Sequence, residues 1–175
     1  SNLISSKITR VAVTGVTALV RGTAATMDGR GILYPAEEIG PLLRSADITH
    51  ISNEIPFYSE CPAPSLYTPE IRFCSDPSYM ALLEEVGMDV VELTGDHFGD
   101  YGIAAMLETL AIYQAQGIPY YGGGANSLEA RQAVTFEHHG NRIAFIGCNG
   151  KGIAFYASAT ENTPGAVACN LDWMS

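Results

Sequence analysis

"MDVVELTGDHFGDYGIAAMLETLAIYQAQGIPYYGGGAN", residues 88–126, decides the fold. Residues 88–95 are rich in valine and leucine, end in Gly95, and read as a strand. After the loop "DHFGDYG", residues 103–117 place Met106, Leu107, Leu110 and Tyr113 on one helical side, with Gly117 as the stop. "IPYYGGGAN" then reads as a short strand running into a glycine-rich turn. Strand, helix and strand in that order make a parallel pair joined by a crossover.

The same alternation continues outward. Residues 76–87 predict a helix, with Pro77 near its start, Leu82, Leu83 and Val86 as its apolar stripe, and Gly87 just past its end. Ile48 and Ile51 mark a strand that ends at Asn53-Glu54. Residues 58–76 form a long Pro-rich loop, a length that is often functional. Residues 35–46 predict a helix with Ile39, Leu42 and Leu43 at helical spacing, and residues 7–15 predict a buried strand. Downstream, Asn126 and Glu129 have the N-cap and N3 spacing of a short helix. "AVTFEHH" and "RIAFIGCN" predict a hairpin around the turn "GN", and no regular element is expected after Asn149. The order β-α-β-α-β-α-β-α-β-β is that of an α/β fold, a mostly parallel sheet flanked by helices, in a single domain over residues 1–175. Loops that follow parallel strands share one edge of the sheet, where ligands bind. Gly15, Asn53-Glu54 and Gly95-Asp96-His97 are therefore expected to converge.

Nine Lys+Arg against 19 Asp+Glu leave a formal charge of −10, which excludes a general binder of nucleic-acid backbones. No apolar run is long enough to span a membrane. Ser1-Asn2 reads as a scar of tag removal, so the start of the chain says nothing about a leader. Cys61 and Cys74 flank one turn-rich loop, and Cys148 and Cys169 flank another, with no zinc-knuckle spacing. Two readings stand: disulfides 61–74 and 148–169 in an extracellular or cell-surface protein, or four reduced cysteines in a cytoplasmic one.

Amide oxygen from Asn53, carboxylate oxygen from Glu54 and Asp96, and imidazole nitrogen from His97 form a donor set suited to Mg²⁺, Mn²⁺, Zn²⁺ or Fe²⁺. Read as ordinary loop residues, Asn53 and Asp96 cap turns, Glu54 is solvated and His97 hydrogen-bonds a neighbour. His50 is expected to be a satisfied sheet residue, and His138 and His139 to lie on the surface, facing opposite ways. "GGG" at 122–124 is not a phosphate loop, because no Gly-Lys-Ser/Thr follows.

The stretches "VAVTGVTALVRG", "LLRSADITHISNEIPF" and, above all, "TGDHFGDYG" with "GGGAN" resemble the bacterial capsule-synthesis family, CapA or poly-γ-glutamate synthesis proteins. That family resembles the calcineurin-like metallophosphoesterases, so the resemblance implies half of a metallophosphatase-type sandwich. It implies a divalent-metal hydrolase site with Asn53, Glu54, Asp96 and His97 as ligands and His97 and Asp96 as catalytic groups. It also implies that Asp100 orients His97, and that Gly122, Gly124 and Asn126 line the wall. Three departures stand out. Glu54 directly follows Asn53, Asp96 stands where the family usually has Asn, and Val16 stands where the family's first strand carries a metal-ligating Asp after glycine. Trp173-Met174-Ser175 does not read as a domain end, so the chain is expected to be the N-terminal portion of a longer protein, with an incomplete site in which the metal is absent. The expected function is a metal-assisted hydrolase acting on a phosphoester or a γ-glutamyl-type amide polymer. The alternatives are a non-catalytic protein that binds or anchors an acidic capsule polymer, and a structural domain of a cell-surface assembly.

Overall fold

The computed structural model describes residues 4–67, 69–151 and 156–170. Strands β1 (Val11–Thr17), β2 (Ile48–Asn53), β3 (Val90–Glu92) and β4 (Tyr120–Tyr121) form a parallel four-stranded sheet in that order. Helices α1 (Arg21–Arg30) and α2 (Ala36–Arg44) link β1 to β2. A 3-10 turn, Pro77–Tyr79, and α3 (Met80–Glu85) link β2 to β3, and α4 (Gly102–Ala115) links β3 to β4. The Asp76 side chain caps the 3-10 turn by accepting from Ser78 N at 2.8 Å, and Gly87 closes α3 with φ +76°. Then come β5 (Gly123–Gly124), α5 (Ser127–Ala130), the hairpin β6 (Val134–His138) with β7 (Asn141–Phe145), and β8 (Gly165–Ala166), which pairs antiparallel with β5. Asn126 caps α5 through Leu128 N and Glu129 N, both at 3.0 Å.

Strand pleating sorts the sheet into two faces. Ile51, Val91 and Leu93 face the main core with Met27, Leu83, Met106, Leu110 and Tyr113. Ile48, Val90 and Tyr121 face the other way and are covered by Val134, Phe136, Ile143 and Phe145 of the hairpin. The sheet is therefore walled by helices on one side and by a β-hairpin on the other.

Several expectations change. The first strand is an edge strand rather than a buried one: it starts at Val11, and Val13 and Val16 are 67% and 62% exposed. A bulge between Val13 and Val16 adds one residue to β1 relative to β2. Helix α1 had no apolar stripe to betray it, since only Ala24 and Met27 are buried. In α2 the stripe turns outward: Ile39 and Leu42 are exposed and Ala36 and Gly40 are buried. Leu107 of α4 is likewise exposed. The hairpin turn is His139-Gly140 rather than Gly140-Asn141, with φ of 51° and 80°, the twist a two-residue hairpin favours. Because His139 sits in the turn, strand alternation does not separate it from His138. Their rings lie 3.8 Å apart, and both bond the segment before β1, His138 Nδ1 to Thr9 Oγ1 and His139 Nδ1 to Ile8 O. β8 lies in the stretch expected to be irregular, too short to carry a pattern. Residues 171–175, with the reading made of Trp173-Met174-Ser175, lie outside the described residues.

Both cysteine pairs are disulfides, Cys61–Cys74 and Cys148–Cys169. The first closes the Pro-rich loop; the second ties the end of the hairpin to the segment after β8. His50 is buried at 3% exposure, stacked on Phe145, with Nε2 2.7 Å from Tyr121 Oη, while its Nδ1 has no partner among the described residues.

Two outcomes are expected. Replacing Cys148 and Cys169 by serine opens a 21-residue separation and lowers the unfolding free energy by roughly 2–4 kcal/mol, read from urea melts. A change below ~1 kcal/mol would mean that the β5–β8 pairing holds the segment alone. Burial holds the His50 imidazole below its ordinary value against the opposing pull of Glu92. The unfolded chain therefore takes up this proton first as pH falls. The stability from neutral His50 is full above about pH 6.5 and is lost as pH drops toward the folded value. Urea midpoints between about pH 7.5 and 5.5, followed with the His50 imidazole NMR signal, should fall together; an invariant midpoint contradicts this.

Candidate functional site

The parallel strands deliver their C-terminal ends to one rim, as the strand order requires. Glu54 follows β2 and Asp96 follows β3, and both line a cavity of about 500 Å³ with Val16, Ser52, Glu92, Thr94, Asn149 and Lys151. What lets the two loops meet is Gly95. A Cβ built there would lie 2.4 Å from Glu54 Cα and 2.5 Å from its carbonyl oxygen, so no side chain fits. Gly122 does the same service behind the loop: its φ is +77°, and a Cβ would meet Thr94 Cγ2 at 2.3 Å.

The consequence is electrostatic. Burial pushes the Glu54 carboxyl up, and a hydrogen bond and the negative charge of Asp96 add to it, against the pull of His97. Burial would raise Asp96 too. The hydrogen bond with Glu54, the charge of His97 and Lys151 outweigh it and hold Asp96 below the usual carboxylate range. Lys151 Nζ stands 3.4 Å from Asp96 Oδ2. The two neighbouring carboxyls are thus pushed in opposite directions, Glu54 toward its protonated form and Asp96 toward its ionised form, with an ammonium against Asp96.

The other residues singled out by the sequence take different places. Asn53 shares strand parity with Ile51 and so faces the helices: it is 1% exposed, and its Nδ2 donates to Tyr113 Oη at 2.8 Å. His97 packs on Phe73 with ring centroids 4.7 Å apart, and its Nδ1 is 2.7 Å from Asp100 Oδ2. Asp100 is a hub. Its carboxylate also accepts from Phe73 N at 2.7 Å and from the Tyr156 hydroxyl, and its carbonyl accepts from Arg72 Nε at 2.6 Å. Gly124 is buried against Ala130 N, and Asn126 is the cap of α5. Glu92 and Lys151 were not singled out. Glu92 has the parity of Val90, which points it to the hairpin side of the rim, where Thr94 Oγ1 donates to it and His50 Nε2 lies 3.8 Å away. The alternation within "VVEL" carried that signal. Nothing in the sequence announced Lys151, which reaches the rim only because the chain turns after β7.

A divalent ion asks for three or more convergent donors. Among the described residues no three His, Cys, Asp or Glu side chains are grouped to hold one. Asn53 is engaged in the core, Glu54 is bonded to Asp96, Lys151 takes the outer oxygen of Asp96, and Val16 brings only methyl groups. The described residues do not fit a metal.

Residues 10–170 match the family described as bacterial capsule synthesis protein PGA_cap. Over 143 residues, 81% of this chain and 34% of the relative, the sequence is 24% identical to the capsule biosynthesis protein CapA of Bacillus anthracis. Over 102 residues, 56% of this chain and 26% of the relative, it is 28% identical to the PGA biosynthesis protein CapA of Bacillus subtilis (strain 168). The matched part thus spans about a third or less of these relatives. The sheet with its helices has the α/β, calcineurin-like character of that family.

Gly95→Ala should force the Glu54 backbone away and separate its carboxyl from Asp96. Overpacking of this kind costs about 1–3 kcal/mol. Followed by carboxyl ¹³C NMR, the Glu54 titration should fall toward its ordinary range in the variant. An unchanged titration would mean that burial alone sets it.

Proposed function

The chain belongs to the bacterial capsule synthesis protein family, and from that premise we propose that the Glu54–Asp96 pair performs acid–base hydrolysis on an acidic capsule polymer, a γ-linked polyglutamate. The observation that carries this is that Gly95 lets Glu54 and Asp96 line one rim, where their environments push the two carboxyls in opposite directions. Asp96, as the base, takes a proton from water as the oxygen attacks the amide carbonyl carbon. Glu54, as the acid, gives its proton to the departing amide nitrogen as the C–N bond breaks. Water is consumed, one carboxyl and one amine are formed, and the proton on Asp96 returns to Glu54 through their hydrogen bond. His97 is held beside the pair by Asp100. No step is routed through a metal, because the donors present do not fit one.

A non-catalytic role in anchoring the polymer is the second reading. It is favoured by Val16 at the rim and by the ammonium of Lys151 that neutralises Asp96. Two disulfides support an extracellular or cell-surface location, and no described helix is long and apolar enough to cross a membrane.

The test is amide cleavage. Incubated with poly-γ-glutamate, the protein should release new amine termini, and Glu54→Gln should lower the rate by about 10²–10⁴, the usual worth of a general acid. Equal rates in the variant would remove the acid–base reading, and no cleavage by either protein would favour anchoring.

A further inference from the structure

Away from the carboxyl rim, the Pro-rich loop closed by Cys61–Cys74 roofs a cavity of about 390 Å³. Two arginines line it. The Arg21 guanidinium lies 4.7 Å over the Phe73 ring, and that of Arg72 lies 4.4 Å over the Tyr101 ring. Each has one donor bonded to a backbone carbonyl, Arg21 Nη2 to Glu70 O at 3.2 Å and Arg72 Nε to Asp100 O at 2.6 Å. Among the described residues neither has a carboxylate within ion-pair distance, whereas Arg10, Arg44, Arg142 and Lys151 each have one. A guanidinium stacked on a ring is held flat while the rest of its donor edge stays available, the geometry that grips a carboxylate with two parallel bonds.

We propose that this cavity is the docking subsite for the carboxylates of a polyanionic chain, with Arg21 and Arg72 as its cationic wall. The inference rests on the reading that an acidic polymer is worked on at Glu54–Asp96, and it adds where that polymer is held. In a chain of formal charge −10 a polyanion is repelled over most of the surface, which favours a place where two stacked guanidinium groups face one cavity with no carboxylate at ion-pair distance. The cavity also holds two carboxylates, each turned to a neighbour of its own: Asp28 accepts from the Tyr79 hydroxyl at 2.6 Å and Asp76 from Ser78 N at 2.8 Å. The arginine wall is also joined to the site. Phe73 carries Arg21 and touches His97, and Arg72 bonds the carbonyl of Asp100, whose carboxylate holds His97. Arg21 keeps a left-handed backbone, φ 47°, unusual for a side chain of its size, and its bond to Glu70 and its seat on Phe73 hold it there.

The test is the affinity for fluorescently labelled poly-γ-glutamate oligomers at low salt without divalent ions. The unaltered protein should bind, and more weakly as salt rises. Arg21→Gln with Arg72→Gln should weaken binding by at least about tenfold, and Arg142→Gln, which changes the same kind of charge on the hairpin, should not. Ala63→Trp, which fills the cavity with both arginines kept, should weaken binding as well, so the result does not hang on one variant's folding. Absence of binding by the unaltered protein, equal binding by the double variant, or an equal loss in Arg142→Gln would overturn the proposal. The two readings separate because the arginines are read by affinity and Glu54 by amide cleavage. Cleavage that needs Glu54 with affinity indifferent to the arginines removes only the subsite; affinity that needs the arginines with cleavage indifferent to Glu54 removes only the acid–base pair.

Discussion

The close approach of Gly95 to the backbone of Glu54 is the contact on which the site depends. Parallel strands bring their C-terminal loops to one rim, but side chains normally keep adjacent loops apart by the width of a Cβ or more. With that width removed, Glu54 and Asp96 come within hydrogen-bonding reach, and two carboxyls at that distance cannot both ionise freely. The opposite shifts of the two carboxyls follow from sterics first and electrostatics second. Gly122 against Thr94, and Gly147 between Thr94 and Tyr121, extend the same economy of space into the layer behind.

A second organisation grows from Asp100. Its carboxylate is nearly buried, and it reaches three segments far apart in the chain: His97 in its own loop, Phe73 in the disulfide-closed loop, and Tyr156 in the segment after β7. A buried carboxylate tolerates such a place only when its lone pairs are satisfied. Here that requirement fastens the loop carrying Arg72 and Phe73, on which Arg21 of α1 stacks, to the rim carrying the carboxyl pair.

The parallel sheet leaves its first strand at the edge, with Val13 and Val16 exposed, and Ile39 and Leu42 of α2 exposed alongside part of it. On the opposite side β4 is too short to continue the sheet, and the glycine strand β5 instead pairs with β8, where the second disulfide holds the chain. The family relationship fits this architecture without settling its chemistry, because a fold hosts a site and does not specify it. At this rim Val16 brings only methyl groups, and Lys151 sets an ammonium beside Asp96.

By itself the sequence determined the alternation of strands and helices, the boundaries of β2, α3 and α4 to within a few residues, the N-cap at Asn126, and the convergence of the loops after Asn53 and Gly95. These rest on periodicity, on capping side chains and on turn glycines, all of them local signals. It left open whether the four cysteines are oxidised, since pairing depends on distances between loops. It also gave Asn53 and Glu54 the same standing, although the parity that buries Ile51 also carries Asn53 into the helix side. Only the tertiary structure decided that α2 turns Ile39 and Leu42 outward, that β1 is an edge, that β8 exists, and that Lys151 and Glu92 enter the rim. Each of these depends on which surfaces meet, a property of residues distant in the chain that no window of neighbouring residues contains.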